Sequence, residues 1–209
     1  LLSRARLIQS RLASTGSRWK AAFLTATYAD DQDDFDARQI SILMKHIRRW
    51  AKRRGFTVPY LWVLERGEQR GRLHYHIVVW LPKGYSMPKP DKQGWWRFGS
   101  TNIQWARHAP VGYLAKYMGK GGPSDLPMPK GARLHGCGGM TAVERAKICW
   151  LHAPAWVREQ WNSWELMPRR ATGGGWVSRL LGDWLPSPYQ FVGMFRGRPV
   201  IRPIGLCAA

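Results

Sequence analysis

Cysteines, acidic residues and long apolar runs are all scarce in this sequence. The three cysteines, Cys137, Cys149 and Cys207, are an odd number without the dense spacing of a disulfide framework. A small secreted domain held together by disulfides is therefore excluded, and a reducing cytoplasm is expected. No run of about 18 apolar residues predicts a transmembrane helix, and arginines interrupt the first 20 residues too often for a signal peptide. We expect a soluble protein without a membrane partner.

The shortage of acidic side chains leaves a large excess of positive charge. The 209 residues contain 33 Lys and Arg against 13 Asp and Glu, a formal net charge of +20. Such an excess repels itself in a compact fold unless a polyanion shares the surface, so nucleic acid is the first partner to consider. A merely basic, ribosomal-type protein also fits the charge. The 13 tryptophans favour more than electrostatic binding, because indole rings pack cores or stack on bases.

The order of predicted elements indicates an α+β fold. Apolar residues alternate in short β-favouring segments, and they recur at helical spacing in a segment that begins acidic, ends basic and stops at Gly55. The elements are a strand at 22–28, a helix within 30–55, strands at 58–65 and 73–81 joined by a hairpin, strand residues within 95–105, and a short helix at 111–120. We expect a central antiparallel sheet with helices packed on one face.

The length suits one well-buried core with appendages. Beyond about residue 123 the composition changes, and Pro, Gly, Trp and Arg become frequent. The predicted division is a basic N-terminal arm or short helix at 1–18, a core at 19–122, and a basic Trp/Pro/Gly-rich extension at 123–209. Within the extension we expect helices at 141–150 and 155–164, followed by a looser end.

Two histidines alternate in the second hairpin strand, LHYHIVVWL. His74 and His76 are two residues apart, so both rings project from the same sheet face. If the hairpin is centred between positions 69 and 70, facing residue numbers sum to 139, and Glu65 lies opposite His74. Two imidazoles and a carboxylate with open positions suit a divalent metal such as Mg²⁺ or Mn²⁺. The alternative is a chance alternation, with Glu65 an ordinary surface residue.

The predicted helix at 111–120 combines two phenols with two ammonium groups. Tyr113, Lys116, Tyr117 and Lys120 fall on one helical face. Nearby Lys charges and a metal-polarised phosphodiester lower the barrier to phenol attack on phosphorus. A helix that contacts phosphate without any chemistry is the alternative.

With these motifs in place, the sequence resembles the HUH endonucleases, which are named for His-hydrophobic-His, here His74-Tyr75-His76. It looks most like the two-tyrosine rolling-circle replication initiators of single-stranded DNA phages and related plasmids, whose last motif resembles YLAKYMGK at 113–120. The strand AFLTATY at 22–28 is similar to the family's first motif. The resemblance covers roughly residues 19–122, which would form the HUH endonuclease core.

The resemblance implies a nicking and rejoining enzyme. His74, His76 and a third polar ligand, for which hairpin geometry suggests Glu65, would bind the metal. Tyr113 and Tyr117 would be the nucleophiles, assisted by Lys116 and Lys120, and would leave a 5′-phosphotyrosine and a free 3′-OH. The implied setting is the bacterial host cytoplasm, with single-stranded or hairpin origin DNA as substrate and a host helicase and polymerase as further candidate partners.

The strand contacts are predicted from charge and aromaticity. A single Trp is more often a core residue than a base-stacking platform. The candidate DNA-binding residues are Arg48, Arg49, Lys52, Arg53, Arg54, Trp95, Trp96 and Trp105.

Several other functions remain open from the sequence. A relaxase or HUH transposase and a non-catalytic module that binds single-stranded nucleic acid are the main alternatives. A structural zinc held by His135, Cys137, Cys149 and His152 would be compatible with either.

Overall fold

The computed structural model describes residues 1–29, 35–67, 71–106, 112 and 127–204 of the chain. The chain forms two compact units, Leu1–Met140 and Thr141–Ala209. The predicted functional boundaries at 18/19 and 122/123 stay predictions. None of the helices in the described part of the chain is both long and apolar enough to span a bilayer.

The first unit is an α+β layer, as predicted. Its sheet has the order β4-β1-β3-β2-β5, and every neighbouring pair is antiparallel. The strand that carries the two histidines, β3, lies at the centre. In chain order the elements are α1 (Leu2–Ser14), β1 (Trp19–Tyr28), α2 (Gln39–Lys52), β2 (Tyr60–Arg66), β3 (Leu73–Pro82), β4 (Gly99–Trp105) and β5 (His135–Gly138).

Helix α2 packs on one face of this sheet. Its buried residues recur at the spacing that predicted the helix, and they form the main core with the even-numbered residues of β1. Gly55 follows the helix with φ +80°, a left-handed conformation that favours glycine, and the amide of Phe56 returns to the carbonyl of Ala51 at 3.3 Å. The acidic start predicted for this helix falls on residues 30–34, outside the described residues.

Helix α1 packs on the opposite face. Its buried residues Ala5, Ile8 and Leu12 join Val78 and Trp80 of β3 in a second core cluster. The first 18 residues therefore contain a helix that belongs to the core of the first unit, in addition to their basic side chains. Because side chains alternate along a strand, the face covered by α1 is also the face of His74 and His76.

The second unit has its own small core, formed by Ala153, Val157, Trp161 and Trp176. The two predicted helices are present, and the first begins with a reciprocal cap between Thr141 and Glu144. Its elements are α3 (Ala142–Leu151), α4 (Ala155–Gln160), a 3₁₀ turn (Trp164–Leu166), and strands β6 (Pro168–Arg170), β7 (Trp176–Ser178), β8 (Trp184–Leu185), β9 (Tyr189–Phe195) and β10 (Arg198–Pro203). The end of the chain thus holds five strands where the sequence suggested a looser segment.

Candidate active site

The two histidines lie side by side on the central strand. His74 and His76 project from the same face of β3, and their ring centroids are 6.1 Å apart. His76 is 9% exposed, so its ring is largely shielded from water. The site therefore sits on a rigid sheet and lies next to helix α1 on the same face.

Two threonines of the neighbouring strand contact the two rings in the same way. In the β1–β3 register Thr27 faces His74 and Thr25 faces His76. The Thr27 hydroxyl lies 2.9 Å from Nδ1 of His74, and the Thr25 hydroxyl lies 3.5 Å from Nδ1 of His76. A ring whose Nδ1 carries the proton donates it to the threonine oxygen and leaves the lone pair of Nε2 for a metal or a phosphate proton.

Glu65 completes the cluster from the other neighbouring strand. The β2–β3 register pairs Glu65 with His74, which confirms the predicted hairpin register. The closest measured approach of its carboxylate is to the other ring, with Oε1 3.7 Å from Nε2 of His76. The side chains of His76 and Glu65 are 11% and 12% exposed. A carboxylate and an imidazole nitrogen thus meet in a poorly hydrated pocket.

Tyr75, between the two histidines, points to the other face and belongs to the core. It packs edge-on against Trp62 and Trp96 and is 1% exposed. Burial raises the pKa of the Tyr75 phenol to about 12. Tyr75 is therefore a neutral core residue and no candidate for the nucleophile.

The donor set fits a divalent ion in its chemistry, although the ligands are not gathered in this conformation. The described residues contain no group of three or more His, Cys, Asp or Glu side chains placed to hold a metal. One reason is visible at Gly67, where an added Cβ would lie 2.5 Å from Nε2 of His74. The His74 ring thus lies close over Gly67, and a ring rotation would bring its Nε2 toward His76 and Glu65. In the second unit, the thiol of Cys149 donates to the carbonyl of Pro168 at 2.9 Å.

Gly67 gives a direct test of this geometry. Gly67→Ala should displace the His74 ring, because the new methyl group would overlap Nε2. We expect strand cleavage to fall by about tenfold or more, since a misplacement of about 1 Å can cost a hundredfold, with a small change in melting temperature. Cleavage rates and melting curves of the variant check this. Unchanged cleavage would show that the position of the His74 ring does not matter.

The predicted basic contacts lie away from the histidines. Arg48, Arg49 and Lys52 are exposed on α2, and Arg53 and Arg54 follow it. Because α2 covers the face opposite His74 and His76, the sheet separates this basic run from the site. The run stays a predicted DNA contact, but one that would hold a strand behind the sheet.

The three predicted tryptophan contacts differ in their surroundings. Trp96 is 1% exposed, and its indole donates to the carbonyl of Thr27 at 3.2 Å. The prediction that Trp96 stacks on DNA is wrong, because the core leaves no face of the ring for a base. Trp95 is half-buried and stacks on His46 with a centroid distance of 6.0 Å. Trp105 is 44% exposed at the edge strand β4 and stays available to a strand.

The predicted tyrosine helix lies outside the described residues, as do Tyr113, Lys116, Tyr117 and Lys120. The described residues on either side are both tied to the first unit. The amide of Ala106 donates to the carbonyl of Ala21 at 2.9 Å, and Ala106 packs against the α1 cluster. The Arg66 guanidinium donates to the carbonyl of Pro127 at 3.1 Å, next to the strand ends that carry Glu65 and His74.

Sequence reasoning identified the histidines and the carboxylate but not their supports. Thr25 and Thr27 were visible as alternating polar residues in a β-favouring segment, yet nothing local tells which strand pairs with β1. The contact of Gly67 with His74 likewise depends on the closed hairpin. These residues act through tertiary contacts that a sequence pattern does not encode.

Comparisons with known proteins point to one family. Residues 21–122 match the model of the replication-associated protein ORF2 family. The chain is similar to replication-associated protein ORF4 of Chlamydia phage 1, with 27% identity over 118 residues that cover 46% of this chain and 30% of that protein. No solved structure matches the chain. Both matches support a role in the initiation of phage replication.

Proposed function

Because residues 21–122 form a domain of the replication-associated protein ORF2 family, we propose that the chain is a metal-dependent nickase that initiates rolling-circle replication on single-stranded or hairpin origin DNA. The observation that carries the proposal is the cluster of His74, His76 and Glu65 on one sheet face, with a threonine at Nδ1 of each ring. Core packing does not require such a polar cluster on the central strands of a sheet.

The cluster would hold a divalent ion through ring nitrogens and a carboxylate oxygen. A bound Mg²⁺ or Mn²⁺ supplies Lewis-acid polarisation of the scissile phosphate. The protein groups fix its position, since the Thr25 and Thr27 hydroxyls orient the rings. The shielding of His76 and Glu65 strengthens their electrostatic effect on a phosphate.

The nucleophile would come from the 113–120 segment. The phenol oxygen of Tyr113 or Tyr117 attacks phosphorus, the bond to O3′ breaks, and the phenol proton is passed on so that the leaving strand ends in a 3′-OH. The 5′-phosphate stays esterified to tyrosine, which conserves the bond energy for rejoining. Lys116 and Lys120 stabilise the charge on the phosphate. Two tyrosines allow a second cut while the first ester is still present.

The anchoring of the flanking residues supports this assignment. Ala106 is held on the face of the two histidines, and Pro127 is held at the hairpin end of β2 and β3 through Arg66. The segment between them therefore starts and ends within the unit that carries the histidines. The free 3′-OH could then prime a host polymerase, with a host helicase opening the duplex, in the bacterial host cytoplasm.

The proposal is tested by cleavage of labelled single-stranded DNA pools with Mg²⁺, with Mn²⁺ and with EDTA. We expect cleavage that requires the ion and leaves a free 3′-OH fragment, which a polymerase can extend. Tight binding of the pools without cleavage under any ion would instead favour a non-catalytic module that binds single-stranded nucleic acid.

Thr27 offers a finer test of the orientation of His74. Thr27→Val keeps the shape of the side chain but removes the hydroxyl 2.9 Å from Nδ1. Loss of such a supporting hydrogen bond costs about 10- to 100-fold in metal affinity or activity, and we expect Mn²⁺ binding to weaken by that factor. Calorimetric titration with Mn²⁺ measures the affinity, and ¹⁵N NMR of the metal-free protein reports the tautomer of His74.

The matched control is Thr27→Ser, which keeps the hydroxyl and should restore both the affinity and the tautomer. If Thr27→Val binds Mn²⁺ as tightly as the native chain, with the same tautomer, the hydroxyl has no orienting role.

A further inference from the structure

The second unit contains an open groove lined by aromatic rings. The groove encloses about 1320 Å³. Three of its rings are unusually exposed, with Trp184 at 61%, Tyr189 at 43% and Phe191 at 61%. They come from strands β8 and β9, so one continuous stretch of chain supplies all three. Large planar side chains rarely stay this exposed unless they meet a partner.

The ring of Trp184 is held in place although it is exposed. Its indole nitrogen donates to the carbonyl of Gly174 at 3.2 Å. Gly174 lies in a glycine loop whose φ angles are all positive, and a Cβ at Gly175 would overlap the carbonyl oxygen of Leu185. The loop can therefore approach β8 this closely because it lacks side chains. A fixed ring with an open face loses little freedom when another ring stacks on it.

The β9–β10 hairpin forms one wall of the groove and is basic. Its turn, Arg196-Gly197, has positive φ at both residues, which suits the tight turn of a two-residue hairpin. Arg196, Arg198 and Arg202 are exposed, and no Asp or Glu occurs anywhere in residues 184–204. On the far wall, the guanidinium of Arg170 lies 5.9 Å from the ring of Trp176. Glu159 also lines the groove.

The charge of the unit follows the same sign. Residues 141–209 contain nine Lys and Arg against four Asp and Glu. A protein partner with an apolar face would fit the rings but would gain nothing from the arginines unless it were acidic. A single nucleic acid strand matches both features, because each base has a face for stacking and each linkage carries a negative charge.

We propose that this groove binds single-stranded DNA, with bases stacked on Trp184, Tyr189 and Phe191 and phosphates paired with the arginines of the hairpin. The site is separate from the histidine cluster and does not depend on nicking chemistry or on a metal. It gives the Trp-rich extension a role in holding the strand that nicking would displace or present.

The test uses the full chain carrying Tyr113→Phe and Tyr117→Phe, so that no strand can be covalently trapped. Binding of fluorescein-labelled oligothymidine is followed by anisotropy in EDTA, in the parent chain and with Trp184→Ala or Phe191→Ala. Stacking on one ring changes affinity by about fivefold to a hundredfold, and we expect each variant to lose affinity within that range. Leu180→Ala is the control, since Leu180 is 63% exposed and does not line the groove.

Two further measurements make the result decisive. Trp184→Phe keeps an aromatic face and should recover most of the affinity. Arg198→Gln with Arg202→Gln should make the slope of log affinity against log salt shallower by about 0.7 for each phosphate that is no longer neutralised. Unchanged affinity in folded Trp184→Ala and Phe191→Ala would overturn the proposal. It would also be overturned if sedimentation showed that these substitutions dissociate a dimer while leaving DNA affinity unchanged, because the groove would then be an interface between copies of the chain.

Discussion

Replacing His74 and His76 together by alanine is expected to lower the rate of nicking by about a thousandfold or more. Polarisation of the phosphate by a metal is worth several kcal/mol, and each 1.36 kcal/mol is a factor of about ten in rate. The double substitution removes both ring nitrogens and leaves only Glu65 of the predicted ligands. Single-turnover cleavage of an origin-derived single strand measures the effect.

The control for this prediction is DNA affinity. The two histidines do not contribute to the α1 core cluster or to the α2 core, so we expect both the fold and DNA binding to be largely retained. His74→Ala/His76→Ala cleaving within a few-fold of the native rate at saturating Mg²⁺ would remove the metal from the mechanism.

Replacing Tyr113 and Tyr117 together by phenylalanine is expected to abolish the covalent protein-DNA product. Phenylalanine keeps the ring but has no oxygen to attack phosphorus, so no ester can form at either position. The loss should be complete within detection. Denaturing electrophoresis of the reaction with 5′- and 3′-labelled strands reveals it, and single substitutions rank the two residues.

Tyr85→Phe provides the matched control. Tyr85 is 38% exposed and packs on Phe56, away from the histidine face. Its variant should form the covalent product at the native rate. A residual product in Tyr113→Phe/Tyr117→Phe would mean that another side chain is the nucleophile.

Much of the sheet and part of the site could be predicted from the sequence because the relevant contacts are local. The turn between β2 and β3 fixes the register of the hairpin, so the pairing of Glu65 with His74 followed from counting residues. The alternation of side chains likewise placed both histidines on one face. The α2 helix was equally accessible, since its apolar spacing and its glycine stop lie within one segment.

Strand β5 could not be predicted, because its sequence, His-Gly-Cys-Gly, has no strand propensity of its own. Its glycines are explained by the neighbouring strand. A Cβ at Gly136 would overlap the ring of Trp62, and one at Gly138 would overlap the ring of Tyr60. The strand fits only where two large rings cover it, and that fit appears after the sheet has formed.

The prediction for Trp96 failed for a related reason. Its neighbour Trp95 has the same local sequence context, but Trp96 enters the core and hydrogen-bonds the backbone of β1. Nothing in a run of two tryptophans tells which ring turns inward. The exposed rings of the second unit could not be singled out for the same reason, since the short strands that present them carry little pattern.

Mass spectrometry of the covalent product tests the central claim most directly. The native chain would be reacted with a single-stranded origin oligonucleotide and Mn²⁺, digested with nuclease and protease, and searched for a peptide that retains a nucleotide. The account predicts a 5′-phosphotyrosyl nucleotide on Tyr113 or Tyr117 and none when EDTA is present. A nucleotide attached to any other residue, or cleavage without an attached nucleotide, would contradict it.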